Sequence, residues 1–278
     1  MTRKFKLINA NGAEWNLMRP DGFLYDPNGL GIAKDNEYMR IGTTYELVQQ
    51  LSAQKQVSFV MIFSSYSVYR SFADFIVNTP LKLAYNPATE WAYIDGEITS
   101  LGKTEFNHGT FTLECSATFT ATSLWYIPRA AQRTSDVVEH PKRYTYQYDY
   151  TYADESNGYI RVINNGSQNS PAKISIMGQI TDPAWYVSVN NDVIASGSVT
   201  ANIPHDHKLV VNSKDGLLEV SEYVTATNEF VRNLYQATDF SKETFVMFPP
   251  GNSVLFVSGI AEGPINAWIE IEEIHETV

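Results

Sequence analysis

Apolar and polar residues alternate along most of this chain with the two-residue period of β-strands, and one stretch breaks that period. Gln56-Val-Ser-Phe-Val-Met-Ile-Phe63 is a run of β-formers, followed by Ser64-Ser65. A Ser hydroxyl can accept from an unpaired amide of a first helical turn, so this pair predicts a helix N-cap. Val68, Phe72, Phe75 and Ile76 then recur at i, i+4, i+7 and i+8, with Arg70 and Asp74 on the opposite face. That spacing predicts an amphipathic helix over Tyr66–Val77. Pro80 cannot continue it, and Leu81-Lys-Leu-Ala-Tyr85 alternates again as a strand.

Around this block the pattern is all β. Phe5–Ile8 and Glu14–Leu17 flank an Asn/Gly turn and read as an opening hairpin. Asp26-Pro-Asn-Gly29 reads as a turn after the strand Phe23–Tyr25. Tyr38–Ile41 and Tyr45–Val48 are short strands with no evident core face, and Gln49–Gln56 is either a hairpin arm or an exposed connection. Asp95-Gly96 is either a tight turn or a glycine irregularity inside one long strand. Thr110–Thr122 is the clearest strand, with Phe111, Leu113, Cys115, Ala117 and Phe119 on one face. Small polar residues from Arg129 to Asp136 read as a linker. Arg143–Tyr152 places Tyr144, Tyr146, Tyr148, Tyr150 and Tyr152 on one strand face. Asn157-Gly158 reads as a turn, and strands at regular spacing then run to Glu272. The fold class expected is mainly all-β: an N-terminal β-sandwich carrying one α-helix over residues 1–128, a linker over 129–142, and a second β-sandwich over 143–278.

Composition narrows the function. The chain has 278 residues with a net charge of −11, distributed unevenly. Residues 1–140 hold 12 Lys/Arg against 14 Asp/Glu, net −2, and residues 141–278 hold 8 against 17, net −9. Nucleic-acid recognition relies on clustered Lys and Arg, so no specific nucleic-acid partner is expected. No apolar run approaches the ~20 residues that span a bilayer, and no apolar segment follows Met1-Thr-Arg-Lys-Phe5, so neither membrane insertion nor a signal peptide is expected. The single cysteine, Cys115, excludes an intrachain disulfide and is expected to face a core.

The order of blocks resembles a known family. Phe5-Lys-Leu-Ile-Asn9, Pro27-Asn-Gly-Leu-Gly31, Pro80–Tyr85 and Leu124-Trp-Tyr126 are similar to the phage distal tail proteins, hub proteins of long non-contractile tails also found in phage-tail-like bacteriocins. Ile203-Pro204, Lys208–Ser213, Gly216, Asp239-Phe-Ser241 and Pro249-Pro-Gly-Asn252 resemble the galectin-like C-terminal domain of that family. The resemblance implies a homohexameric ring made by the N-terminal domains at the virion tail tip, assembled in the bacterial host cytoplasm. The ring would stack on the major tail-tube protein, with the tail-associated hub protein below and DNA passing through its channel. Receptor-binding components would attach to the outward galectin-like domains. No enzymatic activity, catalytic residue, metal or cofactor is implied.

The residues themselves offer further readings. Leu30, Ile32, Tyr38, Ile41, Tyr45, Leu47, Val48 and Leu51 form the candidate ring interface, because their weakly apolar strands lack an obvious core. The five tyrosines from Tyr144 to Tyr152 are a candidate contact face, or else core. An alternative function is a carbohydrate-binding protein acting through the second half, where Trp185 and Trp268 could serve. A glycan-cleaving enzyme would need an acid pair, for which Asp95 and Glu97 are the nearest match, though acids two apart on a strand are usually a solvated edge. His205-Asp206-His207 supplies two imidazoles but no third ligand for zinc. Gly29-Leu-Gly31 lacks the third glycine of a dinucleotide loop, no Gly-x-Ser-x-Gly elbow is present, and Asn165-Gly-Ser167 matters as a glycosylation sequon only after secretion.

Overall fold

The computed structural model describes residues 3–134, 155–261 and 265–278. The chain forms two compact units. The first comprises residues 1–127 with 274–278, and the second residues 128–273. The five-tyrosine face at 144–152 lies outside the described residues. All pairings named below are antiparallel.

In chain order the first half contains β1 (Lys4–Ile8), β2 (Glu14–Asn16), β3 (Met18–Arg19), β4 (Gly22–Asn28), β5 (Glu37–Ile41), β6 (Thr44–Gln49), β7 (Gln56–Phe63), α1 (Tyr66–Ile76), β8 (Leu81–Asn86), β9 (Ala92–Lys103), β10 (Leu113–Ala121) and β11 (Trp125–Thr134). β3, β4, β7 and β10 pair in that order, and β10 pairs with the second half of β9. The first half of β9 pairs with β8, which pairs with β1, which pairs with β2. One long strand thus serves two layers and curls the sheet over a single core. The change of partner falls at Gly96, opposite Leu81 in β8 and Ala121 in β10. Any Cβ there would sit 2.3 Å from the Thr120 carbonyl oxygen, so only glycine allows the layers to approach. Asp95-Gly96 is therefore the strand irregularity, not a turn.

The expected helix forms as α1 over Tyr66–Ile76. Ser65 is its N-cap, with Oγ accepting from the Val68 amide at 3.3 Å. Phe72 is fully buried, its ring 5.4 Å from both Trp15 and Phe63. On β7 and β10 the alternating apolar residues point inward, Val57, Phe59, Met61 and Phe63 beside Leu113, Cys115, Ala117 and Phe119. Cys115 is buried as expected, and that burial raises its thiol pKa.

The second half contains β12 (Glu155–Asn164), β13 (Ser170–Met177), β14 (Ile180–Val189), β15 (Asp192–Ser198), β16 (Asn202–Ile203), β17 (His207–Asn212), β18 (Glu219–Val224), β19 (Phe230–Asn233), β20 (Met247–Phe248), β21 (Gly251–Ile260) and β22 (Asn266–His275). One sheet orders β19-β18-β17-β13-β22, and the other orders β12-β21-β14-β15. Their inward residues, among them Ile174, Leu209, Ile269, Trp185, Leu255 and Val257, share one core. This is a two-sheet sandwich. Both units are therefore β-rich, and among the described residues the helical elements are α1 and a 3-10 turn at Tyr235–Ala237.

Four local expectations fail. Phe111 was expected inward, but β10 begins at Leu113. Asn107 Oδ1 accepts from the amides of Gly109 and Thr110, closing a turn that leaves Phe111 left-handed at φ 54° and 71% exposed. Asp26-Pro27 does not end its strand, because β4 runs through it with a register shift between Tyr25 and Asn28. Asn157-Gly158 does not turn, because both residues pair inside β12, opposite Ser258 and Val257 of β21. Arg129–Thr134 continues β11, since small residues such as the partly buried Ala131 fit against the sandwich core. At Asp26-Pro27 and Asn157-Gly158, pairing with a distant strand overrides a local turn signal, whereas at Phe111 a local turn overrides the strand pattern.

Candidate functional site

Among the described residues, β5 and β6 pair only with each other and form a two-stranded hairpin within the first unit. Gly42 takes φ 64° at the tip, as a two-residue hairpin loop requires, while Thr44 Oγ1 and Arg40 Nε bond the carbonyls of Ile41 and Gly42. Partners across an antiparallel ladder share a face. One face thus carries Tyr38 opposite Leu47 and Arg40 opposite Tyr45, and the other carries Met39 opposite Glu46 and Ile41 opposite Thr44. A register shift between Glu37 and Tyr38 accommodates Val48. Every residue of both strands is exposed, Tyr45 at 68% and Val48 at 60%. Apolar side chains therefore look outward from both faces of one arm. Surfaces of this kind on soluble proteins mark interaction sites.

An isolated two-stranded hairpin is marginal in water, so the base of the arm must hold it. Lys34 and Ser52 form a bridge below the strands, and the Asp35 and Ala53 amides donate to the Leu51 and Ala33 carbonyls. Asn36 Oδ1 accepts from the Leu51 amide at 3.1 Å. The chain's last residues, which return to this unit, complete the clamp. Lys34 Nζ lies 2.7 Å from the Glu276 carboxylate. Lys55, only 4% exposed, donates to the Gly31 carbonyl and, at 3.1 Å, to the Glu276 carbonyl. Burial lowers the Lys55 pKa, and the charge of Glu276 partly restores it.

Of the eight residues predicted for an interface, Tyr38, Ile41, Tyr45, Leu47 and Val48 lie on the arm, and Ile32 and Leu51 are exposed beside its base. Leu30 is partly buried and packs against the core of the unit. Sequence reasoning passed over Met39, which is 53% exposed on the arm and is marked only by its place between Tyr38 and Arg40. The Lys55–Glu276 clamp joins positions too distant in the chain for any sequence signal.

The remaining candidates are tied into structure. The Asp95 carboxylate accepts from the Tyr126 hydroxyl at 3.0 Å beside Lys82, on the surface of β9. His207 opens β17 and bonds the buried Glu222 carboxylate, whose other oxygen accepts from Arg232 Nε at 2.6 Å. Burial pushes the Glu222 pKa up, but the bonds from His207 and Arg232 together bring it below its ordinary value. Trp185 is core, whereas Trp268 lies on the outer face of its sheet. Among the described residues, no group of three or more His, Cys, Asp or Glu could hold a metal ion, and no helix is long and apolar enough to cross a membrane.

Comparison with known proteins meets this geometry in the same half of the chain. Residues 4–122, which include the arm, match the family model "Distal tail protein, N-terminal domain". A search of curated proteins finds no match. Among solved structures, a chain of the phage P2 baseplate in its activated conformation with Ca is similar over 100% of both chains, at 16% identity and a TM-score of 0.66. The SPP1 Dit protein, described as a paradigm of hub adsorption apparatus in Gram-positive-infecting phages, is similar over 97% of this chain and 98% of its own, at 10% identity and a TM-score of 0.63. At these identities the structural likeness establishes a shared fold. Residues 4–122 of this chain are thus similar to the N-terminal domain of distal tail proteins, and the chain as a whole shares the fold of the phage P2 baseplate chain and the SPP1 Dit protein.

Proposed function

We propose that this protein is the distal tail protein of a phage tail tip, a non-enzymatic hub that forms a homohexameric ring and joins the tail tube to the host-adsorption apparatus. The observation that carries this reading is the arm: a hairpin with apolar residues on both faces, clamped at its base, on the domain that matches the family. A ring closed by rotation needs one patch of each subunit to meet a different patch on the next. An arm reaching a neighbour supplies such a patch, and a hairpin exposed on two sides can be covered on both. Burying its half-exposed apolar residues would contribute on the order of 10 kcal/mol per interface before ordering costs.

In this reading the first unit is the ring-forming domain and the second a galectin-like domain projecting outward. The near-neutral net charge of −2 over residues 1–140 permits close packing about an axis, whereas the −9 of residues 141–278 would repel itself there. The ring stacks on the tail-tube protein above and the tail-associated hub protein below, DNA passes through its channel without specific contacts, and receptor-binding components attach outside. Negative-stain images of concentrated protein should show six-fold rings with an open centre. Fields of single small particles, unchanged on adding tail-tube and tail-tip partners, would contradict the reading. A second reading, carbohydrate binding by the second unit, is favoured by one observation, the place of Trp268 on the outer face of its sheet.

A further inference from the structure

The outer face of the β22-β13-β17-β18 sheet in the second unit is hollowed rather than flat. Ile174, Ile176, Leu209, Val211, Ile269 and Ile271 point into the sandwich core. The alternate residues, Lys173, Ser175, Lys208, Val210, Trp268 and Glu270, therefore face out. Outward positions on a solvated sheet normally carry exposed side chains. Here Ser175 is only 1% exposed and Val210 2%, so they form a floor beneath higher walls. Trp268 stands on one side, and Tyr223 with the Thr225–Asn228 loop on the other. The space between them is about 460 Å³, inside the ~300–1,000 Å³ range of small-molecule sites.

Charged groups converge on it. Lys208 is only 8% exposed. Its ammonium lies 5.3 Å from the centre of the Trp268 ring and donates to Asn228 Oδ1 at 2.5 Å. Asn228 holds that position with φ 56°, a conformation Asn tolerates better than most residues. The Tyr223 hydroxyl donates to Glu219, and Lys173 lies opposite Glu270 in the ladder. Two lysines against two glutamates leave the groove without a net sign, so it selects no strongly charged ligand. It offers donors and acceptors side by side next to an indole wall. A sugar ring matches that pairing, with C–H faces for the indole and hydroxyls that both donate and accept. A peptide strand would need a free sheet edge or apolar pockets, and nucleic acid would need net positive charge.

We propose that this groove is a binding site for a neutral oligosaccharide, with Trp268 as the stacking wall and Lys208, Glu270 and Asn228 as hydroxyl partners. The proposal rests on the second reading above, to which it gives a site and a ligand class, and it is independent of the hub reading, since sugar binding by the second unit neither requires nor prevents a ring. The test is calorimetric titration of the full chain with tetrasaccharides of β-1,4-glucose, α-1,4-glucose, β-1,4-N-acetylglucosamine and β-1,4-galactose. We expect saturable binding of at least one with Kd of about 1 mM or tighter, weakened at least ~10-fold by Trp268→Ala and several-fold by Glu270→Gln. Glu270 is exposed, so its variant keeps the proposal testable if Trp268→Ala fails to fold. No saturable binding of any of the four up to ~20 mM would overturn the proposal, as would binding undiminished in folded Trp268→Ala or in Glu270→Gln.

Discussion

Phe72 shows how much one position can carry. It is the fully buried residue of α1, wedged between Trp15 and Phe63, and its place on the helix follows from the i, i+4, i+7 spacing alone. Phe72→Ala should cost ~3–5 kcal/mol in chemical denaturation, because little around the ring can collapse into the space. A loss under ~1 kcal/mol would mean the helix packs on another face. Glu222 makes the corresponding statement in the second unit. Its folded pKa is depressed, so its contribution is present above the ordinary carboxylate range and is lost as pH falls through the folded value. The gap in melting temperature between wild type and Glu222→Gln should be largest near neutrality and close as the solution is acidified below that range. A gap independent of pH would contradict the assignment. Phe72 was legible in the sequence because helical spacing is a local signal, whereas the His207–Glu222–Arg232 cluster was not, since its members lie on three different strands.

The elements divide the same way. The helix, the opening hairpin and the strand pair β7 and β10 follow from periodicity and capping. Asp26-Pro27 and Asn157-Gly158 have turn chemistry yet sit in strands, because partners far along the chain hold them there. The arm was visible as strands without a core, but its clamp was not. That clamp gives an element-scale prediction. Truncating the chain after Glu273 should take the Glu276 carbonyl from the buried Lys55 ammonium and its carboxylate from Lys34, and free the arm's base. Hydrogen exchange should then accelerate over residues 33–53 while the β7 and β10 amides stay protected. Unchanged exchange at the arm base would show that the tail does not hold it.

At the scale of the whole molecule, the account rests on the arm joining one subunit to the next. The order of sequence blocks, through its resemblance to the distal tail proteins, implied an assembly protein. The fold and the family match of residues 4–122 agree with that, and the number of subunits is set by an interface that one chain cannot display. The most direct test is the mass of the protein in solution by light scattering, beside a variant in which residues 37–49 are replaced by Gly-Gly. The account predicts six times 31.3 kDa, about 188 kDa, for the intact protein at high concentration, and a folded 30-kDa-class monomer with retained β-sheet circular dichroism for the variant. A wild type that stays monomeric at every concentration, or a variant that assembles as well as the wild type, would contradict it.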